Sequence, residues 1–162
     1  MKIRNLKEKD LFQLAQLAEE AEIIDLSRKQ ILRLLQSDFK LIKEIFSVAL
    51  VAEDQKKIIG FIILEEYERA KQGIIAEIGY LAVDEQRQRE KIGTTLFKEA
   101  VRRLKIKLSQ KLFSLRLIEA KIDGQKKEIS EFYSGLGMEK QARINDYWSK
   151  GEDAVIFIKR FD

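Results

Sequence analysis

The chain contains no cysteine and no histidine. The first absence excludes disulfides, thiolate zinc sites and a cysteine nucleophile. The second excludes serine-histidine triads and histidine metal ligation, so any general base has to be a carboxylate, a lysine or a tyrosine. No apolar run approaches the roughly 20 residues that span a bilayer. The opening MKIRNLKEKD lacks the hydrophobic stretch of a signal peptide, so a cytoplasmic protein is expected. A dominant charge sign is lacking too: 31 basic residues stand against 27 acidic ones, mixed along the chain, for a net charge of +4. So small and dispersed an excess can steer an anion inward but does not by itself argue for nucleic acid.

What is there suits a folded protein with a heavily ionised surface: 162 residues, 45% of them hydrophobic and 36% charged. That length supports one sizeable core and is short for two. With no repeat and no Gly/Ser-rich linker, a single domain over residues 1–162 is expected.

Met1 to Leu6 reads as a short strand, and Lys7 to Asp10 as a charged turn. Leu11, Leu14, Ala15, Leu17 and Ala18 follow at helical spacing. Ser27 and Gln30 have capping-box spacing, which starts a second helix at Arg28 with Ile31, Leu32, Leu34 and Leu35 turned inward. A further helical piece is expected through Leu41, Ile42, Ile45 and Phe46. From Val48 the period changes to that of strands: Val48 to Glu53, a turn over Asp54 to Lys57, Ile58 to Tyr67, and a second turn over Glu68 to Gly73. Later come a helix from Gly93 to Leu108, a strand from Leu112 to Ile122, a short helix from Glu128 to Gly135, and a closing hairpin of Ala142 to Trp148 with Ala154 to Phe161.

The stretch AEIGYLAVDEQRQREKIGTTL, Ala76 to Leu96, organises the rest. Ile74, Ile75, Ile78, Leu81, Ala82 and Val83 form the apolar run of a strand covered on both faces, interrupted by Glu77. A polar segment from Asp84 to Lys91 leads into Gly93, Leu96, Phe97, Ala100, Val101 and Leu104 at helical spacing. The first amides of a helix starting near Gly93 lack intrahelical partners and sit at the positive end of its dipole. They can therefore receive a phosphate or pyrophosphate.

At these residues the chain resembles the GNAT superfamily of acetyl-CoA-dependent N-acetyltransferases, whose signature [Q/R]-x-x-G-x-[G/A] opens a helix after a strand. Here it reads Gln88, Arg89, Glu90, Lys91, Ile92, Gly93, with Lys91 in place of the first glycine. The order of elements is also that of the family. The resemblance implies a mixed α/β fold, with a twisted, mostly antiparallel sheet of about seven strands and helices on both faces. It implies coenzyme A bound through its pyrophosphate at Gln88 to Thr94. It also implies a bulge at Leu81, Ala82 and Val83 that frees an amide for the thioester carbonyl. Thr94 and Thr95 are placed to add hydroxyls to the phosphate site, and Arg87, Arg89 and Lys91 to attract the cofactor.

Acetyl transfer from a thioester to an amine needs a bound cofactor, a deprotonated amine, a stabilised oxyanion and a proton for the leaving thiolate. Glu77, in Ala76-Glu77-Ile78, resembles the segment that carries the base in histone-type members. Glu119, in Leu117-Ile118-Glu119-Ala120, resembles the L-E-V-R segment of ribosomal-protein N-terminal acetyltransferases. The choice between them stays open. Tyr133, in Phe132-Tyr133-Ser134-Gly135-Leu136-Gly137-Met138, is similar to the family's F-Y-x-x-x-G-F segment, whose tyrosine donates to the departing thiolate. Asp146-Tyr147-Trp148-Ser149-Lys150-Gly151-Glu152-Asp153-Ala154 is similar to the D-Y-Y-x-x-G-E-D-A hairpin of protein N-terminal acetyltransferases. There an aromatic pair lines the peptide groove, which assigns Tyr147 and Trp148 to the acceptor.

The expected activity is direct attack of a peptide or protein amine on acetyl-CoA, without metal, by a monomer or homodimer. Three other readings remain open. One is an acetyltransferase of a small-molecule amine. Another is a non-catalytic GNAT-like module that binds coenzyme A or a partner protein. The third is a nucleic-acid-binding domain using Lys105, Lys107, Lys111 and the loop from Gln125 to Lys127.

Overall fold

A computed structural model describes residues 1–21, 27–42, 47–71 and 73–161, with the side chains of 38–42 and 70 left aside. Its elements are β1 (Lys2–Asn5), α1 (Leu11–Glu20), α2 (Arg28–Ile42), β2 (Val48–Asp54), β3 (Lys57–Ala70), β4 (Gly73–Val83), α3 (Ile92–Ser109), β5 (Leu115–Asp123), α4 (Lys127–Gly135), β6 (Glu139–Ser149) and β7 (Glu152–Arg160). The strands form one sheet in the order β1-β2-β3-β4-β5-β7-β6. Every neighbouring pair is antiparallel except β4 with β5. The mixed, mostly antiparallel seven-stranded sheet expected from the sequence is therefore present.

Two apolar layers sandwich the sheet. On one face α3 and α4 bury Leu96, Phe97, Leu104 and Tyr133 against Leu50, Ile62, Ile74, Ala76, Ile78, Ile118, Ala120 and Ile122. On the other, α1 and α2 bury Leu14, Leu17, Ile31 and Leu35 against Val51, Phe61, Ile63 and Ala82. All five apolar positions read into α1 are buried. One half of the capping box of α2 also forms, with Ser27 N donating to Gln30 Oε1 at 3.0 Å. Leu34, expected to point inward, is instead 41% exposed. The reason is that α2 packs chiefly on α1, which covers only the narrow stripe through Ile31 and Leu35. The further helical piece is continuous with α2 as far as Ile42, while Ile45 and Phe46 lie outside the described residues.

Several boundaries move for local reasons. The hairpin between β2 and β3 turns on two residues, Gln55 and Lys56, both with positive φ. That is the turn type whose twist matches the flanking strands. β3 runs on to Ala70 and shortens the second turn. Leu112, expected in a strand, is 96% exposed at φ 61. It ends α3: Phe113 N donates to Leu108 O at 3.0 Å and Leu112 N to Ser109 O at 3.1 Å, the paired bonds of a Schellman cap.

Candidate active site

The site begins where β4 and β5 part. Their parallel pairing covers Ile74 to Glu77 against Leu115 to Glu119 and then stops. Beyond it β4 stays with β3 through Val83, and β5 stays with β7 through Asp123. A gap between the two central strands thus opens at Glu77 and Glu119, and along it the Ile78 to Val83 segment of β4 has no strand neighbour on the β5 side among the described residues. An edge of this kind offers hydrogen bonds to an extended ligand.

A bulge sits at the opening. Tyr80 pairs with Ile63 and Ile78 with Leu64, so Gly79 is the extra residue. This corrects the expected bulge at Leu81 to Val83: the irregularity lies at the glycine. A Cβ on Gly79 would push aside the Glu65 carboxylate, which lies over the glycine. Inserting one residue also reverses the alternation of β4. Ala76 and Ile78 face α3 before the bulge, and Leu81 and Val83 face it after.

Glu77 and Glu119 are register partners across the parallel pair, on the face opposite Ile118 and Ala120. The structure thus brings the two candidate bases together instead of choosing between them. Lys121 joins them, its Nζ 3.2 Å from Glu77 Oε1 and 3.3 Å from Glu119 Oε1. The sequence reading missed this lysine, although its place two residues after Glu119 in an alternating strand puts both on one face. A pocket of about 280 Å³ beside Glu77 is walled by Glu65, Glu66, Tyr67, Glu77, Gly79 and Tyr80.

Tyr133 lies on the opposite face of the sheet, within the α3 layer. Its ring is 7% exposed and packs edge-on to Phe132 at 5.3 Å and tilted to Phe157 at 6.0 Å. Burial pushes its phenol well above the usual tyrosine range. The hydroxyl has no hydrogen-bond partner among the described residues, yet it is not sealed from solvent. A buried ring with an open hydroxyl suits proton donation.

The loop before α3 has the form expected of an anion site. Lys91 is the N-cap at φ 60, Arg89 is at φ 69, and the first helical bond runs from Thr95 N to Lys91 O at 2.9 Å. The main-chain amides of Arg89 to Thr94 therefore have no acceptor among the described residues. The side chains sort differently. Arg87, expected to attract cofactor, is held at 2.7 Å by Glu90 and at 3.1 Å by Asp54, which braces the loop against the β2–β3 hairpin. Thr95, expected to offer a hydroxyl, donates it to Lys91 O at 2.8 Å. Ile92 is buried in the core, Thr94 is half-buried, and Gln88, Arg89, Glu90 and Lys91 are exposed. Gly93 admits α4 closely, since a Cβ there would stand 3.1 Å from the Phe132 ring. That contact couples the start of α3 to the helix that carries Tyr133.

Tyr147 and Trp148 stand edge to face, with centroids 4.6 Å apart, and are 41% and 54% exposed. They are not among the walls of the pocket at Glu77. Ile144 pairs with Ala154 and Ala154 with Asp123, so the aromatic pair lies at the end of the sheet towards which the gap opens. Three of the cations of the nucleic-acid reading are engaged elsewhere. Lys107 donates to Ser47 O at 3.0 Å, Lys105 lies 4.2 Å above the Phe161 ring, and Lys127 is 3.6 Å from Glu131. Among the described residues, no helix is long and apolar enough to cross a membrane.

Comparisons with known proteins bear on the family and the fold. The family model described as an acetyltransferase (GNAT) domain matches residues 46–139. No curated protein matches the chain in sequence. Among solved structures, the ribosomal-protein-alanine N-acetyltransferase of Brucella melitensis superposes with a TM-score of 0.78 at 15% identity, covering 99% of this chain and 100% of that one. Ard1 of Thermoplasma volcanium superposes with a TM-score of 0.78 at 19% identity, covering 99% and 97%. The ribosomal-protein-S18-alanine N-acetyltransferase of Escherichia coli gives 0.74 at 17%, covering 98% and 92%.

Proposed function

The chain belongs to the GNAT acetyltransferase family, and from that premise we propose that a single domain over residues 1–162 moves an acetyl group from acetyl-CoA to a peptide or protein amine by direct attack. One observation carries the reading: the gap between β4 and β5 has Tyr133 on one face of the sheet and Glu77 with Glu119 on the other. A thioester lying in that gap has a proton donor on one side and proton acceptors on the other.

Acetyl-CoA supplies the activated acyl group. The chain's own part is to hold, orient and move protons. The amides of Arg89 to Thr94 bind the diphosphate, with the exposed side chains of Arg89 and Lys91 beside them. The edge of β4 from Ile78 to Val83, with Leu81 and Val83 as its apolar lining, takes the extended arm. Glu77 or Glu119 accepts the proton of the incoming ammonium, and Tyr133 returns one to the thiolate. Tyr147 and Trp148, at the open end of the gap, flank the acceptor. Their exposed, rigid aromatic surface favours a peptide over a small metabolite. We place the reaction in the cytoplasm, in a monomer or homodimer.

Thiol release from acetyl-CoA, followed with short peptides and with small amines, tests this reading. Glu77→Gln combined with Glu119→Gln should lower kcat by about 10²–10⁴-fold while acetyl-CoA still raises the melting temperature. A double variant as fast as wild type at neutral pH removes both carboxylates from the chemistry.

A further inference from the structure

We propose that Lys121 is a positioning residue whose ammonium holds Glu77 and Glu119 as one ionised carboxylate pair at the point where β4 and β5 part. The inference rests on the acetyl-transfer reading, in which one of these carboxylates takes the acceptor's proton. Its ground is the parallel register, which sets Glu77 directly beside Glu119. Like charges placed opposite each other on neighbouring strands repel. Two carboxylates sharing one site hold a proton between them well above the usual carboxylate pKa. Lys121 Nζ lies 3.2 Å from one and 3.3 Å from the other, with only 17% of its side chain exposed.

The surroundings fix the ammonium in that place. From β3, the Tyr67 ring meets Nζ at 4.8 Å, a cation-π distance. Glu65 and Glu66 stand on the same pocket wall, Glu66 gripped by Arg69 at 2.9 Å. From β4 come Glu77 and Tyr80, from β5 Glu119, and from β7 the apolar Ile156 as register partner of Lys121. Burial alone would lower the ammonium pKa, but the bonds to Glu77 and Glu119 outweigh it and the pKa is raised. Lys121 is thus charged through the neutral range, one cation held between two carboxylates. It keeps both carboxylates oriented towards the gap, where an acceptor ammonium arrives.

Two readouts test this on wild type, Lys121→Met and Lys121→Arg. The first is a carbon-13 NMR titration of the glutamate carboxyls in the protein without cofactor; the second is the pH profile of kcat/KM. In Lys121→Met, one carboxyl of the pair should titrate about one pH unit or more higher, and the acid limb of kcat/KM should move up with it. Lys121→Arg should restore both to wild-type positions, which a mere packing role would not require. Lys121→Gln gives the same comparison should the methionine variant not fold. Unmoved carboxyl titrations and an unmoved acid limb in the neutral variants overturn the proposal. A wild-type protein that releases no thiol with any amine overturns the acetyl-transfer reading instead, and the NMR titration still decides the role of Lys121.

Discussion

The phenol of Tyr133 is placed by ring contacts alone, wedged between Phe132 and Phe157, and its hydroxyl answers to no protein acceptor among the described residues. Burial raises its pKa, so it stays protonated through the neutral range and arrives at the reaction as a donor. Tyr133→Phe should therefore slow kcat by about 10²–10⁴-fold and leave acetyl-CoA affinity unchanged, measured by calorimetry beside steady-state rates. An equal loss in both would make the ring a packing element and nothing more. The motif singles this residue out as the candidate donor. What the motif does not hold is the face it occupies, because that depends on how α4 lies over the sheet. Lys91 is the converse case. The sequence shows a lysine where the resembled signature has glycine, and the structure puts it at φ 60, a left-handed conformation that costs a non-glycine residue roughly 1–2 kcal/mol. A backbone conformation that favours glycine is thus held by a lysine.

At the scale of elements, β1 is fastened to the turn before α1 by Asp10. Its carboxylate is 3% exposed, accepts from Arg4 at 2.6 and 3.0 Å, and accepts from Lys7 N at 2.8 Å. Burial by itself would raise the Asp10 pKa; the Arg4 and Lys7 bonds overcome it and hold the pKa below its usual value. A depressed folded pKa means that the stabilisation is complete above the unfolded value of about 3.9 and is lost as pH falls through the lower folded value. Asp10→Asn should thus cost about 1–3 kcal/mol in urea unfolding at pH 7, and the gap from wild type should shrink below pH 4. A gap that does not shrink would show the carboxylate's charge to be irrelevant.

Elements of this kind were legible where a local signal exists: the stripe of α1, the Ser27–Gln30 box, the start of α3. Leu112 misled because its apolar side chain suggests a strand while its backbone serves as a helix cap, a position where glycine would have announced itself. Gly79 did announce itself, as a lone glycine inside an apolar run. The bulge was sought two residues further on because the resemblance pointed there.

For the molecule as a whole, the number and order of elements could be read from period and turn spacing, and the mixed sheet from the family resemblance. The parting of β4 from β5 could not. Both strands have apolar cores, and their register is set by contacts between residues 44 apart in sequence, such as Glu77 with Lys121. The pairing of two candidate bases through one lysine followed only once that register was known. Acetyl transfer as proposed depends on the gap, with the loop amides before α3, the edge of β4 along it, and the candidate groups Glu77, Glu119 and Tyr133 on its two faces. Hydrogen-deuterium exchange with and without acetyl-CoA examines that gap directly. Binding should slow exchange at Arg89 to Thr94 and along Ile78 to Val83, and leave β6 unchanged. Saturating acetyl-CoA that protects neither segment, or protects a different surface, would contradict the account.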